Sequence, residues 1–332
     1  MSVRVDGSAT LPRRRHARPA TARRAAGTRP RVLPSLLAAI GHTPLVRLRL
    51  QGVPSRVEVW GKCEFFNPGG SVKDRTALSL VQDGERRGAL RPGRTIIDSS
   101  SGNTAVGLAL VGKAKGYAVT LVMPSSVSLE RQRLCRAYGA ELVLTDAFSG
   151  SDGALERVRA LVAEEPERWF YADQYRNPAN PLAHFTTTGP EIWEQTGGRV
   201  THFVAGLGTS GTVMGTSRSL RQRNPRVRVV AVQPDEPLHG LEGLKHMSTA
   251  IVPEIYDTRA HDDVAVVSTE AAHAACDEVL ASNGLLVGHS AGAAIAAARD
   301  VARGLASGVV VALLPDGGER YLGDRPAGEQ TT

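Results

Sequence analysis

Between Leu37 and about Leu322, short apolar runs alternate with stretches whose apolar residues recur every three or four positions. Runs rich in Val, Ile and Leu read as buried strands, and the 3.6-residue period reads as helices laid over them. The runs predict strands over 57–62, 95–98, 119–123, 141–144, 202–205, 227–232, 264–267 and 309–314. The periodic stretches predict helices over 74–87, 103–115, 128–138, 154–164, 212–223, 270–282 and 291–303. Alternation of this kind marks an α/β fold with mostly parallel sheets flanked by helices. Asn177-Pro178-Ala179-Asn180-Pro181 interrupts it. A residue before proline is pushed away from helical geometry, so this segment is expected to be a non-helical linker, with a cleft between an earlier and a later α/β set. No internal repeat is visible.

Composition narrows the class. A chain of 332 residues with 42% hydrophobic content can bury a large core, and no apolar run approaches the length that spans a bilayer, so no membrane partner is expected. The net charge of +7 is unevenly spread. Nine Arg against Asp6 alone place +8 in residues 1–32, which leaves the remainder at −1. The basic balance thus belongs to a tail, residues 1–34, expected to be disordered. No apolar segment follows its arginines, so a secretory leader is not expected. A basic run alone is weak ground for nucleic-acid binding, and none is expected. Residues 325–332 should be frayed. Cys63, Cys135 and Cys276 form no CxxC spacing, which fits reduced thiols and a cytoplasmic setting. No cluster has metal-ligand spacing, and no metal site is expected.

Four strand-to-helix junctions carry unusual loops. In Asn67-Pro68-Gly69-Gly70-Ser71-Val72-Lys73-Asp74-Arg75, a glycine-rich turn delivers one lysine to a helix start. A lone lysine is ordinarily a solvated cation. Beside helix N-terminal amides, which favour anions, such an amine is also placed to condense with a phosphorylated aldehyde such as pyridoxal phosphate. The loop Ser99-Ser100-Ser101-Gly102-Asn103-Thr104 holds more hydrogen-bonding side chains than an ordinary N-cap needs and makes a neutral nest for a carboxylate.

The third loop, Gly206-Leu207-Gly208-Thr209-Ser210-Gly211-Thr212, suits a phosphate. It also satisfies G-x-G-x-x-G, with Asp235 near the end of the next strand, so a nicotinamide-dependent dehydrogenase is a rival reading. Three hydroxyl residues fit a terminal phosphate monoester better than a bridging pyrophosphate, and a dehydrogenase leaves the Lys73 and Asn103 loops without a use. The fourth loop, Gly288-His289-Ser290-Ala291-Gly292, matches the G-x-S-x-G of α/β-hydrolases. Those enzymes need a histidine after the serine, and none follows His289. The Ser290 hydroxyl instead suits a pyridine nitrogen.

With these loops in place, the chain resembles the fold-type II pyridoxal phosphate enzymes, which share a two-domain, tryptophan synthase β-like architecture. Within them it is similar to O-acetylserine sulfhydrylase (cysteine synthase), above all the cysteine synthase B branch. The likeness runs from Ile40-Gly41-His42-Thr43-Pro44-Leu45-Val46-Arg47-Leu48 through His184-Phe185-Thr186-Thr187-Thr188-Gly189-Pro190-Glu191-Ile192-Trp193 to Glu319-Arg320-Tyr321-Leu322.

The resemblance implies pyridoxal 5'-phosphate as cofactor, with Lys73 holding it and later moving the substrate α-proton. Asn103 would bond the ring hydroxyl, Gly208, Thr209, Ser210, Gly211 and Thr212 the phosphate, and Ser290 the ring nitrogen. Ser100, Ser101, Asn103, Thr104 and Gln174 would bind the substrate carboxylate. A small mobile domain is expected over 66–178, and a large cofactor-binding domain over 35–65 plus 179–324. The implied reaction is α,β-elimination from O-acetyl-L-serine, through an aminoacrylate, followed by addition of sulfide. O-phosphoserine as donor, or homocysteine, ammonia or an amine as nucleophile, would keep the same chemistry. The expected partners are therefore a small amino-acid substrate and a small nucleophile, with a second copy forming a homodimer. A catalytically silent binding protein on the same scaffold is the alternative from a different class.

Several positions depart from the family pattern: Ser100 replaces threonine, Ala105 replaces glycine, and His289 stands where Ile or Val is common. In Leu241-Glu242-Gly243-Leu244-Lys245-His246-Met247, Lys245 and His246 keep positive character where the B branch often has paired arginines, but its tryptophan is missing.

Overall fold

A computed structural model describes residues 32–324. The expected tail at 1–34, apart from its last three residues, and the expected frayed end at 325–332 lie outside the described residues.

Among the described residues the strands are β1 (Leu45–Leu48), β2 (Val57–Cys63), β3 (Thr95–Ser99), β4 (Val119–Pro124), β5 (Glu141–Thr145), β6 (Trp169–Tyr171), β7 (His202–Gly206), β8 (Arg228–Pro234), β9 (Asp263–Val267) and β10 (Gly308–Leu314). The α-helices among the described residues are α1 (Lys73–Arg86), α2 (Asn103–Lys115), α3 (Leu129–Ala137), α4 (Gly150–Glu164), α5 (Ala179–Ala183), α6 (Gly189–Gln195), α7 (Gly211–Arg223), α8 (Thr269–Asn283) and α9 (His289–Arg303). Every strand and helix expected from periodicity is present, with boundaries moved by a few residues. The expectation missed β1, β6, α5 and α6.

The strands make two sheets, one ordered β1-β2-β10-β7-β8-β9 and one ordered β5-β4-β3-β6. All pairings are parallel except β1 with β2. Parallel strands are covered on both faces, which is why their residues read as continuous apolar runs. In the four-stranded sheet, Ile96 and Leu121 face a core shared with Leu80 of α1 and Leu108 of α2. Their neighbours Ile97 and Val122 face Ala154 and Val158 of α4 on the other side, as a two-residue side-chain period requires. Each such fully buried aliphatic side chain contributes about 1.5–3 kcal/mol. On the six-stranded sheet the alanine-rich α9 packs with α8 against one face, while Ile192, Phe203, Val213 and Leu220 fill the other.

Of the segment expected to be a non-helical linker, Asn177 and Pro178 are non-helical and the rest is helical. Helix α5 starts at Ala179 with Pro178 as its N-cap, and Pro181 lies in its first turn. N–H groups of a first turn have no intrahelical acceptor, so proline there removes no helical hydrogen bond. A π-helical turn over His184–Thr188 joins α5 to α6.

Candidate active site

Lys73 is the first residue of α1, and its backbone N–H donates to Ser71 Oγ at 3.2 Å. The turn before it is pinned to the end of β10, since Val72 N donates to the Pro315 carbonyl at 2.8 Å and Ser71 forms a bridge with Asp316. Burial pushes the Lys73 ammonium below the ordinary lysine range, and the nearby Asp316 carboxylate opposes that only in part. Two residues on, Arg75 enters a buried ionic network. Its Nε donates to Glu64 Oε2 at 2.7 Å and its Nη1 to Glu191 Oε1 at 2.6 Å, while Lys62 Nζ donates to Glu191 Oε2 at 2.7 Å. Burial works to raise the Glu64 carboxyl, but the Arg75 guanidinium more than offsets it. The network joins β2, α1 and α6 and so fixes the helix that carries Lys73.

The Ser99–Thr104 loop is held from below. Asp98 Oδ1 accepts from Ser99 N at 2.8 Å and its Oδ2 from Gln174 N at 3.3 Å, and burial raises the Asp98 carboxyl to about 8. Gln174 Nε2 donates to the Ser99 carbonyl. Ser100 Oγ accepts from the amides of Gly102 and Ala105, both at 3.2 Å, so this one hydroxyl does perform the ordinary capping role. Asn103 opens α2. Its Nδ2 donates to Asp316 Oδ2 at 2.6 Å, and its Oδ1 accepts from Arg320 Nη1 at 2.6 Å.

The glycine loop ends in Ser210, a left-handed residue with φ of 71°, which caps α7. A Cβ on Gly208 would stand 2.3 Å from the Gly243 carbonyl oxygen, and one on Gly211 would stand 1.9 Å from Asn180 Oδ1. Both positions therefore need glycine for close approach. Asn180 Nδ2 donates to the Gln174 carbonyl at 2.7 Å and to Thr209 Oγ1 at 3.1 Å, linking the two loops. His184 touches Thr212 and Thr76 through Nε2, and burial, with Arg75 adding, lowers it to about 3. Ser290 is buried in the first turn of α9, whose N-cap Gly288 donates its N–H to the Asp316 carbonyl at 3.2 Å.

Lys73, Ser100, Ser101, Asn103, Thr104, Gln174, Gly208 and Thr209 line one cleft of about 170 Å³. Ser210, Gly211, Thr212 and Ser290 are not among its lining residues; they stand at the starts of α7 and α9. Lys245 also lines the cleft, with its ammonium 5.4 Å from the Tyr175 ring centroid. Sequence reasoning missed Asp98, Asn180, Asp316 and Arg320, each of which has a partner distant along the chain.

The residues present fit pyridoxal phosphate. Ser210 Oγ is buried without a hydrogen-bond partner, at a helix start whose N–H groups have no intrahelical acceptor. That hydroxyl and those N–H groups suit phosphate oxygens, and the Lys73 amine shares the cleft with Gly208 and Thr209 of the same loop. No group of His, Cys, Asp and Glu among the described residues is arranged to hold a metal ion.

Comparison with known proteins agrees with this geometry. Residues 36–316 match the model of a family described as pyridoxal-phosphate dependent enzyme. A cysteine synthase of Aquifex aeolicus is 50% identical over 87% of this chain and 90% of its own length. Cysteine synthase B of Escherichia coli is 43% identical over 89% of this chain and 97% of its own. A crystal structure of cysteine synthase from Entamoeba histolytica superposes with a TM-score of 0.86 at 36% identity, covering 90% of this chain and 91% of that one. The glycine cradle, the buried lysine and the serine-rich loop thus stand in a chain that belongs to the family of pyridoxal-phosphate dependent enzymes.

Proposed function

We infer that the chain is a cysteine synthase, which replaces the acetoxy group at Cβ of O-acetyl-L-serine with sulfide and releases L-cysteine and acetate. The observation that carries this reading is the convergence of the Lys73 amine, Gly208 and Thr209 of the glycine loop, and the Ser99–Thr104 loop about one cleft. Relatives named cysteine synthase along nearly the whole described chain support it.

When bound, pyridoxal phosphate supplies an aldehyde that condenses with amines and a ring that withdraws electrons from the substrate Cα. Gly208, Thr209, Ser210, Gly211 and Thr212 hold its phosphate through loop hydroxyls and the N–H groups that open α7. Ser290 would hold the ring nitrogen with a neutral hydroxyl, a partner that does not favour its protonation. Asn103 bonds the ring hydroxyl by exchanging a bond it now makes to Asp316 or Arg320. Ser100, Ser101, Asn103, Thr104 and Gln174 bind the substrate carboxylate through neutral donors. Lys73 Nζ, its proton affinity lowered by burial, accepts the proton from Cα as acetate leaves Cβ.

Residues 66–178 form the small domain that closes on substrate, against a large domain of 35–65 plus 179–324; the four-stranded sheet, over Thr95–Tyr171, falls wholly within the former. The protein works as a cytoplasmic homodimer; its buried cysteines, Cys63, Cys135 and Cys276, suit a reducing compartment. A second reading, with O-phosphoserine as donor, is favoured by the Lys245 ammonium in the cleft wall.

The test is to reconstitute the protein with pyridoxal phosphate and supply each donor with sulfide, following products by mass. O-acetylserine should give cysteine at the higher kcat/KM. Turnover of O-phosphoserine alone would reassign the donor, and cysteine from neither would overturn the reading.

A further inference from the structure

Arg131 and Glu242 meet across the mouth of the cleft. Arg131 lies in α3, which follows β4 of the four-stranded sheet, and Glu242 lies between β8 and β9 of the six-stranded sheet. Arg131 Nη1 forms a short ion pair with Glu242 Oε1, and Nη2 donates to Glu242 Oε2 at 3.2 Å, a bidentate arrangement. The same Nη1 donates to the Ser101 carbonyl at 3.0 Å. Glu242 lines the cleft and stands over Gly102, where an added Cβ would lie 3.8 Å from its Oε1.

An exposed ion pair contributes little, because water competes and two long side chains must be ordered. This guanidinium is different, with only 11% of its side chain exposed. Burial works to lower the Arg131 pKa, and Glu242 more than offsets it. An arginine held from one side by a carboxylate presents its remaining N–H groups in a fixed fork. The group it meets there is a backbone carbonyl in the loop expected to receive the substrate carboxylate. Ser100 Oγ, at the next residue, is committed to capping bonds within the loop. Arg131, tied to the opposite wall by Glu242, meets the loop at the Ser101 carbonyl, whereas Asn103 meets that wall directly through Asp316 and Arg320.

We propose that Arg131 is a positioning residue: braced by Glu242, it holds the Ser101 carbonyl so that the Ser99–Thr104 loop keeps its carboxylate-binding shape, coupling the two walls of the cleft. The substrate part of this rests on the cysteine synthase reading; the loop-holding part does not.

The test uses the pyridoxal-phosphate-loaded enzyme and the variants Arg131→Gln, Glu242→Gln and the exchanged pair Arg131→Glu/Glu242→Arg. Each single variant should speed amide hydrogen exchange of the 99–105 backbone several-fold and raise KM for the amino-acid donor about tenfold, with kcat and the cofactor spectrum little changed. The exchanged pair restores opposite charges but removes the position-131 donor to the Ser101 carbonyl, so it should stay impaired. Unchanged exchange at 99–105 in both single variants would overturn the proposal, whatever the donor proves to be. Full recovery by the exchanged pair would also overturn it, by showing a plain ion pair at work. A wild type that turns over no donor would sink the cysteine synthase reading and leave the exchange result to judge the loop.

Discussion

Thr104 Oγ1 donates a hydrogen bond of 2.7 Å to Gln174 Oε1, and Gln174 Nε2 donates onward to the Ser99 carbonyl at 3.0 Å. One amide thus closes the serine-rich loop at both ends. Replacing Gln174 with Ala leaves a buried hydroxyl and a buried carbonyl without their partner. We expect KM for the amino-acid donor to rise about tenfold with the cofactor spectrum unchanged, as steady-state kinetics on the loaded enzyme would show.

Lys73→Ala removes the only group in the cleft assigned to hold the aldehyde and to take the α-proton. Loss of a positioned general base costs about 10²–10⁴-fold in rate. The variant should fold, by circular dichroism, yet show no covalently bound cofactor in mass spectra after borohydride reduction. A reduced adduct elsewhere on the chain would relocate the chemistry.

Gly208→Ala brings a Cβ against a backbone oxygen, that of Gly243, which cannot swing aside as a flexible side chain would. The cradle must therefore open. We expect pyridoxal phosphate to bind at least about tenfold more weakly, measured by titration of the stripped protein. Undiminished binding would show that the loop has room the geometry denies.

Acid should unfold the protein through two groups that act in the same direction. Burial works to raise Glu191, but hydrogen bonds and charge from Arg75 and Lys62 bring it from 4.5 down to about 2. Its stabilising contribution is complete above pH 4.5 and disappears as pH falls toward 2. His184 stays neutral in the fold down to about pH 3 because it is buried, whereas the unfolded chain protonates near 6.5. The unfolded state binds more protons in between, so stability also declines from pH 6.5 to 3. His184→Asn should flatten that upper part of the curve in chemical denaturation of the cofactor-free protein, even if the variant is less stable throughout.

The site was largely legible because each of its loops sits where a strand gives way to a helix and has a composition of its own. Lys73, Asn103 and Ser210 announce themselves beside glycines and hydroxyls. Their partners carry no such local signal. Asp316 bonds Asn103 from 213 residues away, and Asn180 reaches Thr209 from inside a segment whose prolines point to a turn. In the fold, β6 has three residues and β1 four, too few for a period to register. Helices α5 and α6 were hidden because proline in a first turn and a run of threonines read as irregular backbone. Only tertiary contact turns them helical.

Helices α1 and α2 begin at residues that line the cleft, Lys73 and Asn103, and α7 begins two residues after Thr209, which lines it too. Each start carries about half a positive charge. Three of them together give the cleft an appetite for any small dianion of roughly tetrahedral shape. The buffer is then a competitor: protein stripped of its vitamin in phosphate or sulfate should recover colour more slowly than protein stripped in chloride.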